Sequence, residues 1–238
     1  LSKKNFLWIG KIFAVALIGM AWVAKADSVY IKPTDVNWEK VLGGPPAADS
    51  DEQKQEIAHL LEWQAKRTPT DVARCKSEET ADPFIFSGIL GDKFKAESLP
   101  LTATLLRGVQ GDIKTITTLA KAKWERKRPP YVDDRIKPCV KVEENGSYPS
   151  AHAVRGVVWS RILAEMFPEK KDDLLKRGLL MGEDRVISGI HFPSDVTAGQ
   201  KLGDAIADKL LANPDFQAAL KQAKDECEKA GIAGTAAK

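Results

Sequence analysis

Apolar residues along this chain recur at spacings of three and four, the period of a helix with one buried face. Ile57, Leu60 and Leu61 mark a first helix, and Leu101, Leu105, Val109, Ile113, Ile116 and Ala120 a longer one. Val154, Val157, Val158, Ile162 and Leu163 mark a third, which must stop before Pro168. Leu174, Leu175, Gly178 and Leu179 continue into a fourth. Val196, Leu202, Ile206 and Leu210 form a fifth, closed by Asn213-Pro214, and Phe216, Ala219, Leu220 and Ala223 a short last one. No run of alternating β-branched residues competes with them, so the pattern predicts an all-α chain, a single-domain helical bundle over residues 51–230. Residues 27–50 hold Gly43-Gly44-Pro45-Pro46 and no periodicity, and read as an extended leader. Pro129 to Pro149 is rich in turn-formers and reads as a loop, and the Ala/Gly/Lys-rich residues 231–238 as a flexible tail.

The first 26 residues follow another pattern. Lys3 and Lys4 precede an apolar stretch from Phe6 to Val23 that Lys11 interrupts, and Ala24-Lys25-Ala26 has the small-x-small form of a signal-peptidase site. The reading is a signal peptide over residues 1–26, cleaved after Ala26. The apolar run after Lys11 is about 13 residues, short of the roughly 20 that span a bilayer. The expected location is therefore the bacterial periplasm, with no stable membrane association after cleavage.

That segment also changes the meaning of the charge. The formal net charge is +3, but Lys3, Lys4, Lys11 and Lys25 put +4 into the first 26 residues, leaving 32 basic and 33 acidic residues in the rest. A near-neutral body argues against nucleic acid as a partner, since phosphate-backbone binding needs a strong basic excess. Hydrophobic residues at 43% and charged residues at 29% exclude a disordered or disulfide-dense chain. Cys75, Cys139 and Cys227 allow three single pairings, among which the sequence does not choose. With no Cys-x-x-Cys and no Cys/His cluster, no metal site is expected.

The candidate chemistry gathers around two of three histidines. His59 has no suggestive neighbours and reads as structural. His152 follows Tyr148-Pro149-Ser150-Ala151, where the loop turns into the third helix. His191 lies four residues before Asp195 at the expected start of the fifth helix, with Arg185 upstream, while Lys121 and Arg128-Pro129 close the long helix. Singly, each has an ordinary explanation. The run Lys121, Lys123, Arg126, Lys127, Arg128 suits a solvated helix C-terminus. Pro149-Ser150 suits a helix entry, and His191 with Asp195 suits a surface pair.

Together they form an ordered set: Lys121-x6-Arg128-Pro129, Pro149-Ser150-Ala151-His152, and Arg185-x5-His191-x3-Asp195. This resembles the three-part signature of the phosphatidic-acid-phosphatase type 2 and vanadium haloperoxidase superfamily, Lys-x6-Arg-Pro, Pro-Ser-Gly-His and Ser-Arg-x5-His-x3-Asp. Gly146-Ser147-Tyr148-Pro149-Ser150, Leu175-Lys176-Arg177-Gly178, Arg185-Val186-Ile187, Ser194-Asp195-Val196, Pro45-Pro46 and Asn213-Pro214 with Phe216 narrow the likeness. They make the chain similar to the bacterial class A non-specific acid phosphatases, from Pro45 to Glu226. Three positions depart from the pattern. Ala151 stands where Gly is usual, Asp184 where Ser is usual, and Pro130 where an aromatic is common. Asp184 is expected either to weaken phosphate attraction or to pair with a neighbouring cation.

The resemblance implies a bundle of the phosphatidic-acid-phosphatase type 2 kind and a secreted, metal-independent acid phosphatase without cofactors. Its partners would be a small phosphomonoester and inorganic phosphate, with a homo-oligomer allowed. It implies phosphate binding by Lys121, Arg128, Arg185, Ser150 and the backbone at Ala151. Three cations, a hydroxyl and the N–H groups at a helix start suit an anion whose charge spreads in the transition state. His191, oriented by Asp195, would attack phosphorus and carry the phosphoryl group. His152 would protonate the leaving oxygen and then activate water. The residue types alone permit the two histidines to exchange roles. A spacing of four suits His191 and Asp195 on one helical face. Other readings are a lipid-head-group phosphatase, a vanadate-dependent haloperoxidase, which shares the anion pocket, and a catalytically weak phosphate-binding relative.

Overall fold

The computed structural model describes residues 29–232. The expected signal peptide at 1–26 lies outside the described residues, as does the expected tail beyond Ile232. Among the described residues there are nine α-helices and no strand. They are α1 (Trp38–Leu42), α2 (Asp51–Lys66), α3 (Pro69–Ser77), α4 (Ser87–Leu90), α5 (Pro100–Trp124), α6 (Ala151–Met166), α7 (Lys171–Ile187), α8 (Pro193–Leu211) and α9 (Pro214–Lys229). Each long helix coincides with an apolar repeat read from the sequence.

The bundle is organised around α6. Its residues are apolar or small nearly all round, so it is covered on several sides, by α7, α8 and α5. The α6–α7 crossing is a backbone contact: a Cβ added at Gly156 would lie 2.1 Å from the Gly178 carbonyl oxygen, and one at Gly178 2.3 Å from that of Gly156. At the N-terminal end of α6, a Cβ at Gly199 of α8 would meet the Ser150 carbonyl oxygen at 2.5 Å. These approaches bring the start of α6, the end of α7 and the start of α8 to one end of the bundle. The end of α5 and the loop after it cover the same place.

Two regions differ from the sequence reading. The expected extended leader, as far as it is described, is docked: the buried Asp112 carboxylate of α5 accepts the N–H groups of Val29, Tyr30 and Ile31 at 2.8, 2.9 and 3.1 Å. It also contains α1, capped by Asn37 and ended by Gly43 at φ +69°. A helix of five residues nucleates only with tertiary help, here Trp38 edge-on to Trp124, and carries no periodicity to read. The second is α3. Thr68 and Asp71 form its capping box, Thr68 Oγ1 accepting Asp71 N–H and Asp71 Oδ2 accepting Thr68 N–H. Only a few apolar residues mark its face, so the repeat is faint.

Cys75 and Cys139 pack in one apolar cluster, Cys227 lies in the main core, and all three are free thiols.

Candidate active site

His191 is buried just outside α8, one residue before the Phe192 cap, so the expected sharing of a helical face with Asp195 does not hold. The contact itself does. Asp195, in the first turn of α8, turns back so that Oδ2 accepts the Phe192 N–H at 2.9 Å and meets His191 Nδ1 at 3.2 Å. The carboxylate caps the helix and orients the imidazole with one oxygen. Ser147 Oγ donates to the same oxygen at 2.5 Å and lies 3.3 Å from His191 Nδ1.

The other imidazole nitrogen decides the tautomer. Arg128 Nη1 lies 3.0 Å from His191 Nε2, and a guanidinium can only donate. Nε2 therefore presents a lone pair and Nδ1 carries the hydrogen. Burial, with Arg128 and Lys121 beside it, pulls the His191 pKa down to about 3 against the support of Asp195. Burial works to raise Asp195, but His191, Arg126 and Ser147 outweigh it and hold the carboxyl at about 2. The pair is a neutral imidazole on an ionised carboxylate.

Lys121 sits in the last turn of α5, its Nζ donating to the Gly146 carbonyl. Burial, then Arg128, lowers its pKa to about 7. Arg128 follows α5 and is 1% exposed. It donates to Asn145 O, Ile190 O and Asn145 Oδ1 besides His191, and pairs with Glu143 at 2.6 Å. Ser150 caps α6, its Oγ accepting the Ala153 N–H, and its own N–H donates to the Asp195 carbonyl at 2.9 Å. Ala151 is the first residue of α6 and adopts no positive φ, so the position does not require Gly.

His152, second in α6, is buried with Nε2 3.1 Å from the Glu78 carbonyl. A carbonyl only accepts, so Nε2 carries the hydrogen and Nδ1 is the basic nitrogen. Burial, then Arg185 and Arg155, holds its pKa well below the usual histidine value. Arg185 ends α7, donates to the Cys75 carbonyl at 3.2 Å, and keeps a buried Nε–H without a partner. His152 and Arg185 line a cleft of about 610 Å³. Lys121 and Arg128 line a neighbouring one of about 460 Å³. Glu144 and Asn145 line both, so the loop from Glu143 to Gly146 stands between the two halves of the set.

Asp184 resolves in favour of pairing. It is fully buried and holds Arg74 of α3 by a double contact, Nε to Oδ2 at 2.9 Å and Nη2 to Oδ1 at 2.8 Å. His59 is exposed and accepts from Trp63 Nε1, away from the site. Among the described residues, no three His, Cys, Asp or Glu side chains gather as metal ligands would.

Sequence reasoning passed over Ser147, Glu143, Asn145, Arg126 and Glu56. Arg126 was visible in the charge run but read as solvated; it is buried beneath the site.

Comparison with known proteins bears on the family and the fold. A family model for the PAP2 superfamily matches residues 100–208. A non-specific acid phosphatase of Providencia stuartii is 31% identical over 233 residues, covering 92% of either chain. The chain belongs to the PAP2 superfamily. A non-specific acid phosphatase of Salmonella typhimurium is 32% identical over 147 residues, 60% of this chain and 59% of that one. The PAP2 fold is also seen in solved structures. A transmembrane PAP2-type phosphatidylglycerolphosphate phosphatase from Bacillus subtilis superposes with a TM-score of 0.52 at 20% identity, over 74% of this chain and 92% of that one. A bacterial vanadium-dependent iodoperoxidase gives 0.51 at 15% identity, over 71% of this chain and 51% of that one. These two likenesses concern the fold. Among the described residues, no helix is long and apolar enough to cross a membrane.

Proposed function

We propose that this chain is an exported, periplasmic acid phosphatase that hydrolyses small phosphomonoesters through a phosphohistidine on His191, without a metal ion. Its class, phosphoric monoester hydrolase, follows from the acid phosphatases it is similar to and from its superfamily. Export rests on the Lys-rich start, the apolar stretch and Ala24-Lys25-Ala26.

The observation that carries the mechanism is the tautomer of His191. Its Nε2 lone pair faces Arg128, a phosphate-matching guanidinium, while Asp195 holds the Nδ1 hydrogen. An ester phosphate taken up by Arg128, Lys121 and Arg185 brings phosphorus to that lone pair. Arg128 Nη1–H passes from His191 Nε2 to a phosphate oxygen, Nε2 bonds to phosphorus as the bond to the ester oxygen breaks, and His152 gives that oxygen a proton. Water then attacks phosphorus, its proton passes to His152, the P–N bond breaks, and inorganic phosphate leaves. Lys121, Arg128 and Arg185 supply the positive charge the transition state needs, so no step calls for a metal. Before substrate arrives, burial, Arg185 and Arg155 disfavour a proton on His152, and the proton it gives is taken up from solvent as substrate binds. The incoming phosphate offsets the field of Arg185 and Arg155 and raises its affinity for the proton it donates.

The test is hydrolysis of an aryl phosphate by the purified protein from pH 4 to 8 with EDTA present. Turnover should persist in chelator, and kcat/KM should fall above about pH 7 as Lys121 loses its proton. His191→Ala should reduce turnover by at least about 10³-fold while orthovanadate still binds. Turnover that survives in His191→Ala, or that stops with EDTA, rejects the mechanism.

A further inference from the structure

Arg126 and Glu56 lie outside the proposed phosphate-binding set; Arg126 borders the cleft of Lys121 and Arg128, and neither borders the one that His152 and Arg185 line. Both are nonetheless buried, at 6% and 8% side-chain exposure, and Arg126 links Glu56 to fully buried Asp195. Arg126 Nη1 donates to Asp195 Oδ1 and to Ser194 Oγ, each at 2.7 Å, and Nη2 donates to Glu56 Oε2 at 2.7 Å. Glu56 Oε1 in turn accepts the Ser194 N–H at 2.7 Å. One face of the guanidinium lies 4.0 Å from the Phe192 ring centroid.

We propose that Arg126, clamped by Glu56, is a positioning residue for the His191–Asp195 pair, fixing the carboxylate through the oxygen that His191 leaves free. The proposal rests on the reading of His191 as nucleophile.

The division of labour within Asp195 supports it. Oδ2 takes His191 Nδ1, Ser147 Oγ and the Phe192 N–H, while Oδ1 takes Arg126. A carboxylate held by one oxygen can still rotate about its own axis, whereas holding both fixes its plane and hence the imidazole. The clamp joins three distant parts of the chain: α2 supplies Glu56, the segment after α5 supplies Arg126, and the start of α8 supplies Asp195 and Ser194. An unpaired buried arginine would be strongly unfavourable, so the network is built as a unit. A lysine has three donors but on one nitrogen, so it does not reproduce the fork in which Nη1 takes Asp195 and Ser194 and Nη2 takes Glu56.

The clamp also acts through charge. The charged and titratable groups around His191 are Lys121, Arg126 and Arg128 from the end of α5 and beyond, Glu143 from the loop, His152 of α6, Arg185 of α7, Glu56 of α2 and Asp195 itself. Arg126 offsets part of the carboxylate's pull on the imidazole and so helps to keep the nucleophile unprotonated in acid. Removing Arg126 should make His191 easier to protonate; removing the charge of Glu56, which screens Arg126, should do the reverse.

The experiment compares wild type, Arg126→Gln, Arg126→Lys, Glu56→Gln and His191→Ala in aryl phosphate hydrolysis, with circular dichroism to show that each is folded. Arg126→Gln should lower kcat about 10- to 100-fold. KM should stay within about threefold, because the phosphate contacts remain. The acid limb of its kcat/KM profile should rise by about one pH unit. Arg126→Lys should restore the acid limb but only part of kcat, and Glu56→Gln should move the limb downward. Loss of packing alone would not move the limb in opposite directions. A folded Arg126→Gln with wild-type kcat and acid limb overturns the proposal. If that variant does not fold, wild-type kcat and profile in both Arg126→Lys and Glu56→Gln overturn it. Failure of the underlying reading looks different: His191→Ala would then keep its turnover.

Discussion

Arg128 has five N–H donors, and each meets an acceptor: Asn145 twice, Ile190, His191 and Glu143. A phosphate can bind this guanidinium only by replacing one of them. The Glu143 carboxylate is the natural one to yield, since its side chain is 48% exposed and returns to water at little cost. It is an anion beside the guanidinium proposed to take the phosphate. Glu143→Gln should therefore tighten inhibition by inorganic phosphate about fivefold, which corresponds to about 1 kcal/mol, read as the inhibition constant in aryl phosphate hydrolysis. Unchanged inhibition would mean that Glu143 does not compete. Asp184 teaches the complementary lesson. It looks like a carboxylate set against phosphate in the sequence, yet its charge is taken up by Arg74, a residue from a helix the apolar pattern scarcely shows.

At the scale of elements, the site depends on how closely α6 and α7 approach. His152 is fixed to the start of α6 and Arg185 to the end of α7, and both must reach one cleft. Gly156 and Gly178 permit the contact, and each added Cβ would run into the other helix's backbone carbonyl, which cannot turn aside as a side chain can. A Cβ at Gly178 would also lie 2.3 Å from Ser160 Oγ. Gly178→Ala should destabilise the protein by about 3 kcal/mol in urea unfolding. Where it still folds, it should lower kcat, because separation of the helices parts His152 from Arg185. A stability equal to wild type would show that the helices can move apart freely. The α8 cap is the second device of this kind. Asp195 orients His191 from the first turn of a helix to which His191 does not belong.

For the whole molecule, burying neutral histidines ties stability to pH. His191 has a folded pKa of about 3 and His152 is also held below the usual histidine value. The unfolded chain therefore takes up protons that the folded one refuses. The histidine contribution is complete above about pH 6.5 and falls as the pH drops toward the folded values, by up to about 1.4 kcal/mol per pH unit for each refused proton; Lys121, lowered to about 7, acts in the same direction at higher pH. Asp195, depressed to about 2, acts in the same direction at still lower pH, its contribution being lost as the pH falls through that value. The melting temperature should thus decline from pH 7 to pH 4, by about 2–4 °C per kcal/mol for a chain of this size. His191→Asn, which removes one of the refusing groups, should flatten that decline. A decline as steep as in wild type would place the acid sensitivity elsewhere.

The sequence by itself determined the helical class, the positions of the long helices and which residues to look for at one end of the bundle, because a period of 3.6 and a set of ordered motifs are local or near-local properties. Lys121, Arg128, Ser150, His152, Arg185, His191 and Asp195 all lie at the same end of the bundle. Tertiary structure alone decided what those residues touch. Arg126 becomes a partner of Asp195 only because α2 and α8 close around it, and Glu56 is recognisable afterwards as an acid on the same buried stripe as Gln53 and Leu60. The leader is docked because Asp112, more than 80 residues away, accepts its N–H groups. The tautomer of His191 follows from a guanidinium and a carboxylate that reach it from two different segments. Such contacts depend on burial and on distances across the fold, and neither is written into local spacing.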